Sequence, residues 1–244
     1  MSIISVGSEV TFGSSNTEVR ADGTFRVLGG GLGVVNSEGH IFPADQKVKD
    51  LFSKSSTLLR RAKGGTLKAE NKHPTKRPEE SKEDFVRRFL DIDNDRACAV
   101  IKHVEVGSAP VDMPGQAGKV YPVWLHIEPM GTFGEALLSD LKSSSNTAFS
   151  IRALSKRGKL NGRVSRTLFH IITWDWVNEP GINFANKASW TKEDRVDMEV
   201  GEFKNLLAQV DVDDLNSEDK DLYREVSAKI EACEGMECSF FSSW

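Results

Sequence analysis

The chain reads as an α+β protein. Period-two apolar runs recur from Val19 to Val177 between short polar turns, the mark of strands. Helical spacing fills 43–64, returns after Gly134 and dominates from Thr191. These strands and helices do not alternate regularly, as a doubly wound sheet would require.

Residues 1–35 are rich in strand character. Glu18 to Leu28 predicts a hairpin turning at Asp22-Gly23, the strongest short turn signal. Gly29-Gly30-Gly31 follows without a helix behind it, so it reads as a bend or bulge and not as a dinucleotide loop. Val48, Leu51, Phe52, Leu58 and Leu59 predict one helix from Pro43 to Gly64. Residues 66–83 read as a polar loop carrying His73, Pro74 and Pro78, and strand character resumes from Arg88 to Val106. Val120 to Glu128 is a strand in which Pro122 points to an edge or a start. Thr132 to Glu135 fits a capping box before a helix with Phe133, Ala136, Leu137 and Leu141 on one side. Ala148 to Leu154 and Arg163 to Val177 are strands around a Gly158/Gly162 turn region. Two helices follow, one with Val196, Val200, Phe203 and Leu207, the other from Ser217 to Cys233, with an acidic linker at 211–214 between them. Cys238 to Trp244 is an apolar tail.

Composition excludes several classes. The 244 residues carry a net charge of −4, 39% apolar and 28% charged residues, enough for a core but with no global pull toward nucleic acid or anionic membrane. Three cysteines, Cys98, Cys233 and Cys238, lack metal-ligand spacing and fit a reduced, cytosolic chain. The start lacks a signal-peptide pattern, and no segment approaches the ~18–20 apolar residues of a membrane span.

Two short segments carry possible chemistry. His73 lies in Ala69-Glu70-Asn71-Lys72-His73-Pro74, and Ser150 lies in Thr147-Ala148-Phe149-Ser150-Ile151-Arg152. A serine hydroxyl needs a base to take its proton, and imidazole titrates in the right range. The plainer readings are a solvated loop histidine and a small residue on a strand's outer face. No Gly-x-Ser-x-Gly elbow is present. Asp175 sits between Trp174 and Trp176; it is either the group that orients the imidazole or a structural carboxylate bonded near Asn178-Glu179-Pro180. Strict alternation would place His170, Ile172, Trp174 and Trp176 on one face and Asp175 on the other. Arg152 shares a face with Ser150. It could hold an anionic substrate group or support the oxyanion site, or form a surface salt bridge. His103, His126 and His170 read as packing or surface residues. The basic residues from Lys54 to Arg77 lack interleaved aromatics, so a polyanion-binding surface is the weaker alternative to a solvated face.

In combination these segments resemble phage prohead maturation proteases over about residues 25–190. Asn36-x-x-Gly39-x-x-Phe42-Pro43, a helix, His73-Pro74, Phe149-Ser150-Ile151-Arg152 and Asp175-Trp176-Val177-Asn178-Glu179-Pro180 follow that family's order. The resemblance implies a herpesvirus-protease-like antiparallel β-barrel core surrounded by helices. It makes Ser150 the nucleophile and His73 the general base. Herpesvirus assembly proteases use a second histidine on a strand after the serine; Asp175 occupies the comparable place here and takes the orienting role. Phe149 in place of a small aliphatic residue and the lysine-rich approach to His73 depart from the pattern.

The resemblance further implies a protease domain over 1–190 and a removable or core-docking helical segment over 191–244. It implies a homo-oligomeric endopeptidase that cuts scaffold or core proteins, capsid proteins and itself inside an assembling procapsid in the host cytoplasm. Neither metal nor organic cofactor is implied, nor any need for nucleic acid or membrane. Related enzymes of large phages often cut after glutamate, which makes Ser217-Glu218 a candidate self-cleavage position. The rival reading is a non-catalytic scaffold or core-binding capsid component with the same fold.

Overall fold

The computed structural model describes residues 3–6, 8–13, 17–36, 39–112, 118–143, 147–177, 196–210, 212, 217–231 and 239–240. Strands β1 (Ile3–Val6) and β2 (Ser8–Gly13) precede the expected hairpin of β3 (Glu18–Val19) and β4 (Phe25–Leu32). Asp22 Oδ1 accepts from the Thr24 N–H at 3.0 Å and from its hydroxyl at 2.6 Å, and Gly23 takes a φ of +83°. The glycine run lies within β4. Gly29 is the extra residue of a bulge opposite Val123 and Trp124, and a Cβ there would stand 2.5 Å from Leu125 Cγ. Strands β5 (Val34–Val35) and β6 (Ile41–Phe42) flank the Asn36 motif. Asn36 Oδ1 accepts from the His40 N–H at 2.8 Å, and Gly39 turns the chain at φ +77°. Ser37 and Glu38 lie outside the described residues.

The expected single helix from Pro43 to Gly64 is two, α1 (Gln46–Asp50) and α2 (Thr57–Gly64). Ser56 divides them, because it is extended and its hydroxyl caps the Leu59 N–H at 3.2 Å. Segment 66–83 is not all loop, for it contains β7 (Lys68–Asn71). The region beyond it opens with a helix, α3 (Lys82–Leu90), before the strand β8 (Ala97–Val106). Ser81 caps α3, accepting from the Asp84 N–H at 3.0 Å, while Phe85, Val86 and Phe89 are fully buried.

After β9 (Val111–Asp112), strand β10 (Lys119–Pro129) pairs with β4 and β8, so Pro122 is not on an edge strand. The proline is tolerated because the β8 ladder ends beside it at Val123. Helix α4 (Gly134–Lys142) starts from Phe133 with no side-chain cap, so the Thr132 capping box does not form, and Ala136 is exposed. The long hairpin of β11 (Ala148–Leu160) and β12 (Arg163–Val177) turns at Asn161-Gly162, with φ values of +51° and +77°. Its register slips where Arg152 faces Thr173 but Ala153 faces Ile171. Ile172 is the extra residue, and its carbonyl accepts from Arg61 Nη1 at 2.8 Å. This bulge breaks the strict alternation: Ile172 packs apart from Trp174 and Trp176. The chain ends in β13 (Val196–Glu199), α5 (Val200–Ala208), α6 (Ser217–Glu231) and β14 (Ser239–Phe240). Ser217-Glu218 opens α6, at the start expected for the second of the two C-terminal helices, so the candidate self-cleavage position lies on helical backbone. Cys233, Cys238, most of 211–214 and all of 178–195 lie outside the described residues.

The sheet runs β13-β1-β14-β11-β12-β7-β8-β10-β4-β3 and curls into a half-barrel. Most pairs are antiparallel, but β7 joins β12 in parallel. One core lies around Leu125, Ile127, Phe149, Trp174 and Phe42. A second is formed where α3, α5 and α6 cover Leu154 and Ile172, with Phe85, Phe89, Phe203 and Val226 buried. Among the described residues no helix is long and apolar enough to cross a membrane.

A polar clasp fixes α6 to β12. Lys229 Nζ donates to the Phe169 carbonyl at 2.9 Å and to Glu225 Oε1 at 2.5 Å, and the same Glu225 oxygen lies 3.5 Å from His170 Nδ1. Burial holds His170 below its ordinary 6.5. Burial would raise Glu225, but hydrogen bonds from His170, Lys229 and Thr57 hold it well below 4.5. The unfolded chain therefore takes up a proton at position 170 that the folded chain refuses as pH falls below about 6.5. The Glu225 contribution, complete above 4.5, is lost as pH falls further through its depressed folded value. Thermal melts are expected to drop in midpoint between pH 7 and pH 5, and His170→Phe should flatten that drop. An unchanged slope in the variant would show that His170 does not carry it.

Candidate active site

Asp175 stands at the centre of a row of three paired residues. Ser150 of β11 is its register partner on one side, and Glu70 of β7 on the other. Directly paired residues project to the same face with Cβ atoms about 5 Å apart. Ser150 and Asp175 are 0% exposed and Glu70 2%, so Ser150 is not a small residue on an outer face. Phe149 and Ile151 anchor β11 in the main core on either side of the serine. The other edge of β11 is occupied by β2, with Val10 opposite Ser150 and Ser8 opposite Arg152.

His73 reaches this row by a short, tightly held excursion from the end of β7. Asn71 is still paired with Trp176, and the Lys72 N–H donates to the Trp176 carbonyl at 2.7 Å. Lys72 then turns the chain at φ +66°, an unusual conformation for a residue with a Cβ. Arg96 braces that turn, donating through Nη2 to the Asn71 carbonyl at 2.5 Å and the Lys72 carbonyl at 3.2 Å. His73 is 6% exposed, so it is not a solvated loop histidine. Its Nδ1 lies 2.8 Å from Asp175 Oδ2. Burial would raise the Asp175 carboxyl, but the Arg152 charge and the His73 and Arg152 hydrogen bonds outweigh it and hold the group below the usual carboxylate range. An ionised carboxylate only accepts, so Nδ1 carries the proton and Nε2 is the basic nitrogen.

Arg152 is fully buried and spends all five N–H donors inside the protein. Nε donates to Asp175 Oδ2 at 3.0 Å. One Nη2 proton goes to Asp175 Oδ1 at 2.5 Å and the other to Glu70 Oε1 at 2.8 Å. Nη1 donates to the Asp91 carbonyl at 2.8 Å and the Phe89 carbonyl at 3.3 Å, at the C-terminal end of α3. The expectation that Arg152 meets an anionic substrate group or the oxyanion is corrected: no donor remains for either, and the pairing is buried and not a surface salt bridge. Burial opposes the guanidinium charge, but Asp175 and Glu70 more than restore it. Removing one partner of such a buried pair costs about 3–5 kcal/mol.

Glu70 is the member of this site that the sequence reading passes over. Its signal is a carboxylate on a strand between Ala69 and Asn71, two residues before the candidate base. Glu70 Oε1 also accepts from the Asp93 N–H at 3.0 Å. Burial raises its carboxyl above the ordinary value, and Asp175 adds to this, while Arg152 works the other way. Cys98 of β8 donates from Sγ to the Ala69 carbonyl at 3.4 Å, and burial pushes its thiol far up. His103 and His126 stack edge to face, 5.2 Å apart, beside Glu105 on another part of the sheet. Several residues of the basic run already have partners within the protein: Arg60 pairs with Asp221, Arg61 with Ile172 and Lys68 with Asn94.

The site thus offers a paired imidazole and carboxylate, with a hydroxyl on the adjoining strand, in an arrangement suited to acyl transfer. Comparison with known proteins places this geometry in context. The family model for the Peptidase S80 family matches residues 14–241. The capsid maturation protease of Pseudomonas phage phiKZ is 31% identical over 194 residues, which cover 75% of this chain and 68% of that protein. The bacteriophage T4 capsid assembly protease superimposes with a TM-score of 0.42 and 14% identity, over 72% of this chain and all of that one. The family match and the phiKZ relative agree with the resemblance to phage prohead proteases read from the motifs. The chain belongs to the Peptidase S80 family.

Proposed function

We propose that this chain is a serine endopeptidase of phage head maturation, with Ser150 as nucleophile, His73 as general base and Asp175 as the group that orients and stabilises the imidazole. The observation that carries the reading is the 2.8 Å contact of His73 Nδ1 with Asp175, whose register partner is Ser150. As Ser150 Oγ attacks the scissile carbonyl, His73 Nε2 takes its proton, and Asp175 stabilises the imidazolium that forms. When the tetrahedral intermediate collapses, the same proton passes to the leaving amine. Water, activated by His73, then releases the acyl group from Ser150 and regenerates the hydroxyl. Backbone N–H donors outside the paired span of β11 would hold the oxyanion, since Arg152 has no donor to give.

The phiKZ relative is named a capsid maturation protease, and this supports scaffold or core proteins, capsid proteins and the chain itself as substrates. We place the activity inside the procapsid, in the host cytoplasm, in a homo-oligomer built on the herpesvirus-protease plan. Residues 1–190 form the protease unit in this reading, and 191–244 a segment that docks through α5 and α6 and can be removed. Cleavage at Ser217-Glu218 would require the first turn of α6 to unwind.

Mass spectrometry of the purified full chain over time tests the assignment. The parent chain is expected to shorten at one or two discrete sites and to cut a scaffold protein in trans. Ser150→Ala and His73→Ala should each reduce both by about 10⁴-fold or more. Continued processing in both variants would overturn the assignment in favour of a non-catalytic capsid component. Asp175→Asn, which keeps the shape but not the charge, is expected to lose about 10⁴-fold in turnover. Near-parental turnover would remove Asp175 from the triad.

A further inference from the structure

Two carboxylates converge on one guanidinium beside His73. Asp175 takes two Arg152 donors and Glu70 takes one. The remaining two are held by the Phe89 and Asp91 carbonyls, the negative end of α3. Arg152 therefore does not cancel the Asp175 charge alone, because its single positive charge is divided. We propose that Glu70 is a positioning residue of the site, one that holds Arg152 in place and, by drawing on its charge, leaves Asp175 negative enough to stabilise the imidazolium of His73. The inference rests on the serine-protease reading for its meaning but not for its measurement.

Several other groups around the cluster have partners or protonation states of their own. On β8, Cys98 keeps its proton near neutrality. Arg96, between α3 and β8, binds the Asn71 and Lys72 carbonyls. Arg88 of α3 is neutralised by Glu80 at 2.6 Å while donating to the Thr75 carbonyl at 2.8 Å. Thr173 of β12 donates to the Lys68 carbonyl and brings no charge. Glu70 is thus the second acidic side chain in the cluster that contains the His73–Asp175 pair.

The test follows the His73 ring by NMR in full chain carrying Ser150→Ala, which removes the proposed nucleophile. A His73→Gln variant assigns the signal. With Glu70→Gln the His73 titration midpoint is expected to move down by about one pH unit, because one of two stabilising anions is gone. Glu70→Asp, which keeps the charge, should restore most of it. In chain with Ser150 intact, the acid limb of the pH–rate profile should move the same way with Glu70→Gln. A loss of rate without that movement would mark a purely structural role and overturn the proposal, as would an unmoved His73 midpoint. If Glu70→Gln does not fold, the Glu70 carboxyl carbon is followed in the parent fold. It must be ionised where His73 titrates, and a protonated Glu70 there overturns the proposal. The ring titration needs no turnover. An active Ser150→Ala chain would sink the protease reading and leave the Glu70 result standing, and the reverse also holds.

Discussion

The structure turns on a guanidinium removed from water. A charge such as Arg152 is costly to bury, and the cost is offset only when every donor finds an acceptor and the charge finds a counter-charge. Here both conditions are met by groups from three separate elements. Asp175 comes from β12, Glu70 from β7, and the Phe89 and Asp91 carbonyls from the end of α3, while β11 supplies Arg152 itself. A network satisfied to this degree tolerates little displacement of any member. The same contacts that neutralise Arg152 therefore set where Asp175, and through it His73, can stand.

That convergence depends on an unusual strand order. Hairpins alone would keep β12 beside its sequence neighbours, but β7 enters between β12 and β8 and runs parallel to β12. This insertion brings Glu70 to the level of Asp175 and ends just before His73. The left-handed turn at Lys72 and the Arg96 brace then redirect the chain so that the imidazole points back at the carboxylate. On the opposite side, α3 presents its carbonyl end to Arg152 while its Phe85 and Phe89 face joins the core that receives α5 and α6.

Much of this was legible in the residues. Asp22-Gly23, the period-two runs of β11 and β12, and the serine, histidine and aspartate segments were all marked by local chemistry. The glycine run was legible only as a bend or a bulge; that it lies inside β4, with Gly29 as the extra residue, depends on the pairing with β10. The misses have a common cause, which is that tertiary context outweighed the local pattern. Helix α3 carries only Phe85, Val86, Phe89 and Leu90 among charged residues, and the prolines upstream disguised its start. Strand β7 is short, and three of its four residues are polar, Glu70 among them because it serves the site. The two-residue periodicity of β12 failed at Ile172, where a bulge cannot be read from one strand alone. Arg152 looked exposed by type, since nothing in its own segment reveals that its partners lie 23 residues away in one direction and 61 and more in the other.

The placement of β2 along β11 has a consequence for how any bond could be brought to Ser150. At that residue the sheet is closed on both flanks, by Asp175 of β12 and by Val10 of β2. An extended polypeptide commonly docks by adding itself to a free strand edge, which supplies a ladder of main-chain bonds. With β2 seated, no such edge is open at the hydroxyl. A visiting chain must then come down broadside onto the sheet or evict a segment of the host, and in either case the first act of recognition falls to side chains.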